Sequence, residues 1–314
     1  MIRAMSYQSL IFQGEGMREY FGGIEAGGTK FVCVIANDPN DILEEQRFPT
    51  SNPKETISKV TAFFKNAKDH HNIRLLSIGI GSFGPVDLNP SSRYYGFITS
   101  TPKPGWQFTN LVKPIQEGLK LSVAFDTDVN AAAIAEGKWG AAQNIDDFLY
   151  FTIGTGIGGG AIIHGKPLHG LIHPEMGHIY LVQNKEKDHY QGKCPFHKTC
   201  FEGLASGPAI EERWNLPGWQ LDDNHPAWDL ESDYIAQAMS NFICTFSPER
   251  IILGGGVMQR QHLYPMIRTK VQQYLNNYVV SDIITAGIDH YIVSPQLGNR
   301  AGMLGAIALA QSLC

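Results

Sequence analysis

Apolar positions along this chain keep two rhythms, one of two residues and one of 3.6, and the rhythm changes at glycine. From Phe21 to Ile35 apolar residues flank a break at Gly27-Gly28 and resume in FVCVI. That is the pattern of a strand, a glycine turn and a returning strand. Residues 53–67 place Ile57, Val60, Phe63 and Phe64 on one helical face, opened by Asn52 or Pro53. LLSIGIGSFGPVD (75–87) reads as a strand ending in a Gly-Pro loop. LSVAFDTDVN (121–130) is a strand running into a helix, AAAIAEGKWGAA (131–142). DFLYFTIGTGIGGGAII (147–163) repeats the strand, glycine turn and strand. An irregular stretch rich in Gly, His and Cys follows, from His164 to Cys200. Helices dominate from Ser206: PAIEERW (208–214), then SDYIAQAMSNFICTF (232–246). PERIILGGGVM (248–258) is a strand meeting a glycine turn, and GNRAGMLGAIALAQSL (298–313) is a closing helix of small residues with a core role.

Strands alternating with helices argue an α/β fold. The glycine-broken hairpin occurs twice, at IEAGGTKFVCVI and TIGTGIGGGAII, which points to an internal duplication of two similar domains. A length of 314 residues suits about two domains and a core that needs no disulfide staples. Lys+Arg is 25 and Asp+Glu is 30, a net charge of −5, which argues against bulk nucleic-acid or membrane-surface binding. No apolar run reaches the roughly 20 residues of a spanning helix, and the first twenty residues lack the apolar core of a signal peptide. The five cysteines, an odd number, are not a disulfide framework. The expectation is a cytoplasmic protein.

Three glycine turns could present backbone N–H groups to phosphate: Gly27, Gly28 and Thr29; Gly154, Thr155 and Gly156 with Gly158 to Gly160; and Gly254, Gly255 and Gly256. None is a Walker A loop, and GTGIGG is followed by a strand where a dinucleotide fingerprint needs a helix. Any one of them could be a tight hairpin alone; together they favour a split phosphate clamp. Asp126 and Asp128 sit where a strand becomes a helix. They have two readings, helix capping and general-base catalysis on a hydroxyl, and the residues alone leave both open. His178, Cys194, His197 and Cys200 have the donor types and spacing of a closed tetrahedral zinc site, structural in kind. His169, His173 and His189 are spare histidines nearby. Glu175 and Glu202 flank that set and would be positioned by the same metal to accept hydrogen bonds from sugar hydroxyls.

Together these segments resemble the ROK family of bacterial sugar kinases, within the actin-like superfamily. The resemblance covers the chain from about Met17 onward. It rests on E-A-G-G-T-K (25–30), G-S-F-G-P-V-D (81–87), D-T-D-V-N-A-A-A (126–133), G-T-G-I-G-G-G (154–160), E-M-G-H (175–178) with the Cys/His core, and L-G-G-G-V (253–257), in that order. I-E-A-G-G-T-K, C-P-F-H-x-x-C and Y-G-F-I-T-S-T-P-K-P-G-W look like its fructokinase branch.

The resemblance implies two actin-like (ribonuclease H-like) lobes with a cleft between them. The expected division is 18–127 with 298–314 in the first lobe and 128–297 in the second, after an extension at 1–17. It implies phosphorylation of a hexose by ATP, fructose to fructose 6-phosphate, with Asp128 as general base. Gly84, Asp128, Glu175, His178 and Glu202 would bind the sugar, His178 using one nitrogen for it and the other for zinc. Gly27, Gly28, Thr29, Lys30, Gly154, Thr155 and Gly156 would line the phosphates with Mg²⁺, and Pro208, Gly254, Gly255, Gly256, Val257 and Met258 would border the adenosine. Glucose, mannose or N-acetylmannosamine as acceptor, or a sugar sensor without catalysis, are the alternatives. Repressor relatives carry an N-terminal helix-turn-helix; about twenty residues precede the first motif here, so no nucleic-acid partner is expected. The family habit is a homodimer. Glu25 stands where an Asp is usual, its carboxylate about one C–C bond (~1.5 Å) further out, and Thr127 where an Asn is.

Overall fold

In the computed structural model, which describes residues 17–314, each glycine-broken run closes into a hairpin. The expected extension, 1–17, lies outside the described residues except for Met17. β1 (Arg18–Ala26) pairs antiparallel with β2 (Lys30–Asp38), and β3 (Asp41–Pro49) pairs antiparallel with β2. The apolar pattern names no strand at β3. Its DILEEQRFP carries adjacent charges, which an edge strand tolerates because one side faces water. α1 (Pro53–His71) begins as expected and runs four residues past 67. Asn52 caps it by accepting from Glu55 N at 3.0 Å, Val60, Phe63 and Phe64 are buried, and Asn72 ends it in the left-handed conformation.

β4 (Ile73–Ser82) lies parallel to β1. β5 (Phe97–Ile98) and β6 (Thr109–Asn110) form a two-stranded ribbon, followed by α2 (Val112–Leu119). β7 (Ser122–Thr127) adds parallel to β4 and leads into α3 (Asp128–Trp139). The second half opens with β8 (Phe148–Ile153), β9 (Ile157–Ile163) and a short β10 (Lys166–Pro167). Residues 168–200 then carry one 3-10 turn, Met176–His178, matching the irregular stretch expected. α4 (Phe201–Ala205), α5 (Gly207–Trp214) and α6 (Ala227–Phe246) lead to β11 (Arg250–Gly254). α7 (Leu263–Leu275), α8 (Asp282–Thr285), α9 (Ile288–Tyr291), β12 (Ile292–Val293) and α10 (Ala301–Gln311) complete the chain.

The two five-stranded sheets have one topology. Their orders are β3-β2-β1-β4-β7 and β10-β9-β8-β11-β12, antiparallel on the hairpin side and parallel on the other. The helix after each sheet's fifth strand packs on the other sheet: α3 against β8 and β9, α10 against β1 and β4. α3 and α10 also pack on each other, and small residues make that possible. A Cβ on Gly305 would stand 2.0 Å from the Ala131 carbonyl oxygen; on β4, one on Gly79 would stand 1.9 Å from that of Ala306, so α10 lies equally close on the first sheet. One apolar cluster lies within each half, and a third joins them through α3 and α10. The core role expected for the last helix holds, since Ala301 and Met303–Ala310 are buried. No helix among the described residues is long and apolar enough to cross a membrane.

Candidate functional site

The β7–α3 junction separates its two carboxylates by partner. Asp126 is buried with both oxygens engaged: Oδ1 accepts from Thr127 N and Asn130 Nδ2, both at 2.7 Å, and Oδ2 meets His169 Nε2 at 2.9 Å. Neither aspartate caps α3. Thr127 does, its hydroxyl accepting from Asn130 N at 3.1 Å, so the capping reading of the pair belongs to the residue between them. Asp128, on the first turn, accepts from Val129 N at 2.9 Å. Burial first, then the charge of Glu25, push its carboxyl up to about 7, with a smaller push from Glu175 and an opposing pull from the Val129 N–H. A carboxylate poised there suits a general base near neutral pH.

Two more acids, Glu25 and Glu175, lie near enough for their charges to act on Asp128. Glu25, at the end of β1, is raised by burial, with Lys30 and Arg47 pulling the other way, and its carboxylate packs where a Gly302 Cβ would be, 2.7 Å from Oε1. Glu175 is pushed up to about 7, by desolvation first and by Glu202 second. Its Oε1 lies 3.6 Å from a Cβ built on Gly84, so the loop after β4 and the 173–178 segment already touch. Glu202 Oε2 accepts from Ile157 N at 3.0 Å and stands 2.8 Å from a Gly156 Cβ position, which ties it beneath the second glycine turn.

The glycine turns fall into two groups. Gly27, Gly28 and Thr29 close the first hairpin, with Gly27 N donating to Lys30 O at 2.9 Å and Thr50 Oγ1 donating to Gly27 O at 2.7 Å. Thr29 and Lys30 are exposed, and a Cβ on Gly28 would meet open space. In the second half three segments converge. Gly154 O accepts from Gly207 N at 2.7 Å, which brings Pro208 beside the turn, and a Gly154 Cβ would lie 3.6 Å from Gly256 N. Thr155 is exposed at the tip and Gly156 O accepts from Gly154 N at 2.9 Å. Gly255 holds a φ of +92° under the Ile153 carbonyl, 2.4 Å from its Cβ position, so that bend requires glycine. Gly254 ends β11, while Val257 and Met258 are buried in the core of the second half.

His178, Cys194, His197 and Cys200 bring one donor atom each into a group spanning no more than 4.8 Å. Cys194 Sγ lies 3.7 Å from both His178 Nδ1 and His197 Nδ1, and Cys200 Sγ lies 3.5 Å from His178 Nδ1. Tetrahedral zinc with bonds of about 2.3 Å to sulfur and about 2.0–2.1 Å to nitrogen separates S from N by about 3.6 Å. The donor set therefore fits zinc in chemistry and size. Because His178 turns Nδ1 to the thiols, its Nε2 is the nitrogen left for another partner.

The ROK family model matches residues 21–313. The chain belongs to the ROK family. A Bacillus subtilis (strain 168) relative is 49% identical over 289 residues, covering 92% of this chain and 94% of its own. The fructokinase of Lactococcus lactis subsp. cremoris is 44% identical over 298 residues, covering 95% of this chain and 99% of its own. The ROK hexokinase of Thermus thermophilus superposes with a TM-score of 0.75 at 25% identity, over 94% of this chain and 98% of that one. The two sheets and their exchanged helices are thus the two actin-like lobes of a ROK protein.

Two histidines of this ROK chain do more than their sequence shows. His169 and His173, read as spares, both reach from the second lobe to the first: His169 to Asp126, and His173 Nε2 to Val86 N at 3.0 Å. Their placement depends on how an irregular segment folds over a distant strand end, and local periodicity carries no such signal.

Proposed function

We propose that this chain transfers the γ-phosphoryl group of ATP to a hexose, with fructose as acceptor and fructose 6-phosphate as product. The observation that carries the proposal is Asp128, a half-buried carboxylate held near neutral pKa between the two lobes, beside Glu25 and Glu175. The likeness to the Lactococcus fructokinase over nearly all of both chains supports fructose among the hexoses.

In this reading Asp128 takes the proton from the sugar hydroxyl as its oxygen attacks the γ-phosphorus, and ADP leaves on the opposite side. Gly84, Glu175, Glu202 and the free Nε2 of His178 hold the other hydroxyls. The turns at Gly27–Lys30 and Gly154–Gly156 line the phosphates, and Pro208 with the backbone of 254–258 borders the adenosine. The phosphate charge there would be neutralised by Mg²⁺ entering with ATP. Zinc on His178, Cys194, His197 and Cys200 would tie down the irregular segment and fix the His178 ring. Closure of the lobes (18–127 with 298–314 against 128–297) excludes water that would otherwise hydrolyse ATP. The working form is a homodimer in a reducing cytoplasm, which sedimentation of the zinc-loaded protein would test.

The deciding experiment is ADP release from Mg-ATP with fructose, mannose, glucose and N-acetylmannosamine in parallel. Fastest turnover on fructose is expected. Preference for another sugar would keep the kinase and reject the acceptor. No ADP release with any sugar from folded, zinc-replete protein would overturn the kinase reading.

A further inference from the structure

We propose that His173 is a positioning residue that seats the 84–86 turn against Glu175 and thereby sets sugar affinity, an inference that rests on the kinase reading above. His173 is 5% exposed, on the irregular segment of the second lobe. Its Nε2 accepts a hydrogen bond from the buried Val86 N–H at 3.0 Å. A ring nitrogen that accepts carries no proton, so the proton sits on Nδ1. Nδ1 faces Glu175 Oε1 at 3.6 Å, and Cε1 lies 3.4 Å from the position of a Gly84 Cβ. One neutral ring thus touches the backbone of a first-lobe turn, the glycine of that turn and a second-lobe carboxylate, all on the side of the cleft assigned to the sugar.

Burial lowers the ring's pKa and keeps it neutral, against the pull of the Pro174 carbonyl and of Asp126; the nearby charges are Glu175, Asp126 and His169. A buried histidine that only fills space would not need an acceptor nitrogen on a buried N–H. Removing it strands the Val86 N–H without a partner. Glu175 then loses the wall that holds its carboxylate over Gly84. The phosphate turns at Gly27–Lys30 and Gly154–Gly156 lie on other elements, so ATP binding is spared.

The test compares His173→Ala, His173→Gln and His173→Asn in the full-length, zinc-loaded protein. Glutamine's amide oxygen reaches the place of Nε2, whereas asparagine's amide reaches only that of Nδ1. His173→Ala should raise the KM for fructose about 10- to 100-fold with the KM for ATP unchanged. His173→Gln should recover most of that loss and His173→Asn should not. Calorimetric fructose binding without ATP should weaken in the same order. An unchanged fructose KM in His173→Ala overturns the proposal. So does equal impairment of the Gln and Asn variants with both KM values rising in step with a lowered Tm, since that is the mark of packing. If His173→Ala does not fold, the Gln and Asn pair still decides. Wild-type protein that releases no ADP with fructose would sink the kinase reading itself, a result distinct from either.

Discussion

The two lobes share a strand order and differ in strand length. In the first lobe the third strand has nine residues and the fifth has six; in the second each has two. The long fifth strand, β7, delivers Asp128 to the head of α3. Its short counterpart, β12, ends in a loop that leads to α10, whose second residue, Gly302, makes room for the Glu25 carboxylate. The short third strand, β10, gives way to residues 168–200, where regular backbone pairing is scarce and four His/Cys donors converge. One duplicated scaffold thus holds Asp128 on regular structure in one lobe. Glu175 and the four His/Cys donors sit on irregular chain in the other.

The largest effect should come from Asp128, the carboxylate that the head of α10 lacks. Asp128→Asn keeps the shape and removes the proton acceptor, so kcat should fall roughly 10²- to 10⁴-fold with Tm unchanged. Asp126→Asn, by contrast, weakens a buried network of Thr127, Asn130 and His169 and should cost stability as well as rate. Equal kinetic losses from the two, with no difference in melting, would dissolve the distinction between them. Next in size is the proposed zinc tie. Chelation, or Cys200→Ser, should lower Tm by about 10 °C or more, because a structural metal contributes several kcal/mol and about 1 kcal/mol moves a lobe-sized unit by about 2–4 °C. A metal-free protein with the wild-type Tm and a zinc content of zero in native preparations would show the four donors to be ordinary side chains.

The shared electrostatics of the cleft give a smaller and signed effect. Asp128 sits at about 7, so below that pH it is protonated and cannot take the hydroxyl proton. Activity should rise as pH passes about 7 and then level. The same shift costs stability in the other direction: the unfolded carboxyl ionises near 3.8, so folding weakens as pH rises from there to about 7. Burial is the larger cause and cannot be mutated singly, but Glu25 is the leading charge and Glu175 the lesser. Glu25→Gln should therefore move the acid limb of kcat/KM for sugar to lower pH by about one unit or less, and Glu175→Gln by less again. A limb that stays put in both variants would assign the titration to another group.

The hairpins, the first helix with its cap and the metal quartet were legible because each is written in local spacing. A glycine pair between apolar runs, an Asn-Pro start and a C-x-x-H-x-x-C core need no knowledge of distant chain. β3, α2 and α7 were not legible. β3 is an edge strand of mixed charge, and α2 and α7 bury only a narrow stripe each. The roles of Asp126 and Asp128 could not be divided from sequence, since both are acids at one junction and only His169 and Asn130, folded against the first of them, tell them apart. Val257 and Met258 show the converse. Their motif is legible as chain, yet both side chains are buried, which the letters alone do not show.

The smallest expected effect is the sharpest comparison of the two lobes, since it sets one hairpin turn against its duplicate. Gly28 opens on empty space and is not in the left-handed region, so Gly28→Ala meets nothing in the protein. It should leave stability unchanged or raise it by about 0.4–1 kcal/mol by restricting the unfolded chain. If the space is kept for phosphate oxygens, the added methyl raises the KM for ATP while the KM for fructose holds. Gly156→Ala meets Glu202 Oε2 at 2.8 Å, the end of a side chain that can swing away at small cost in stability. Swinging away takes Glu202 off the Ile157 N–H and out of the sugar side of the cleft, so here the KM for fructose should rise as well as that for ATP. The same substitution in the two turns thus separates a turn that only meets nucleotide from one that couples nucleotide to sugar. Matching profiles for the two variants would mean that the duplicated turns still do one job.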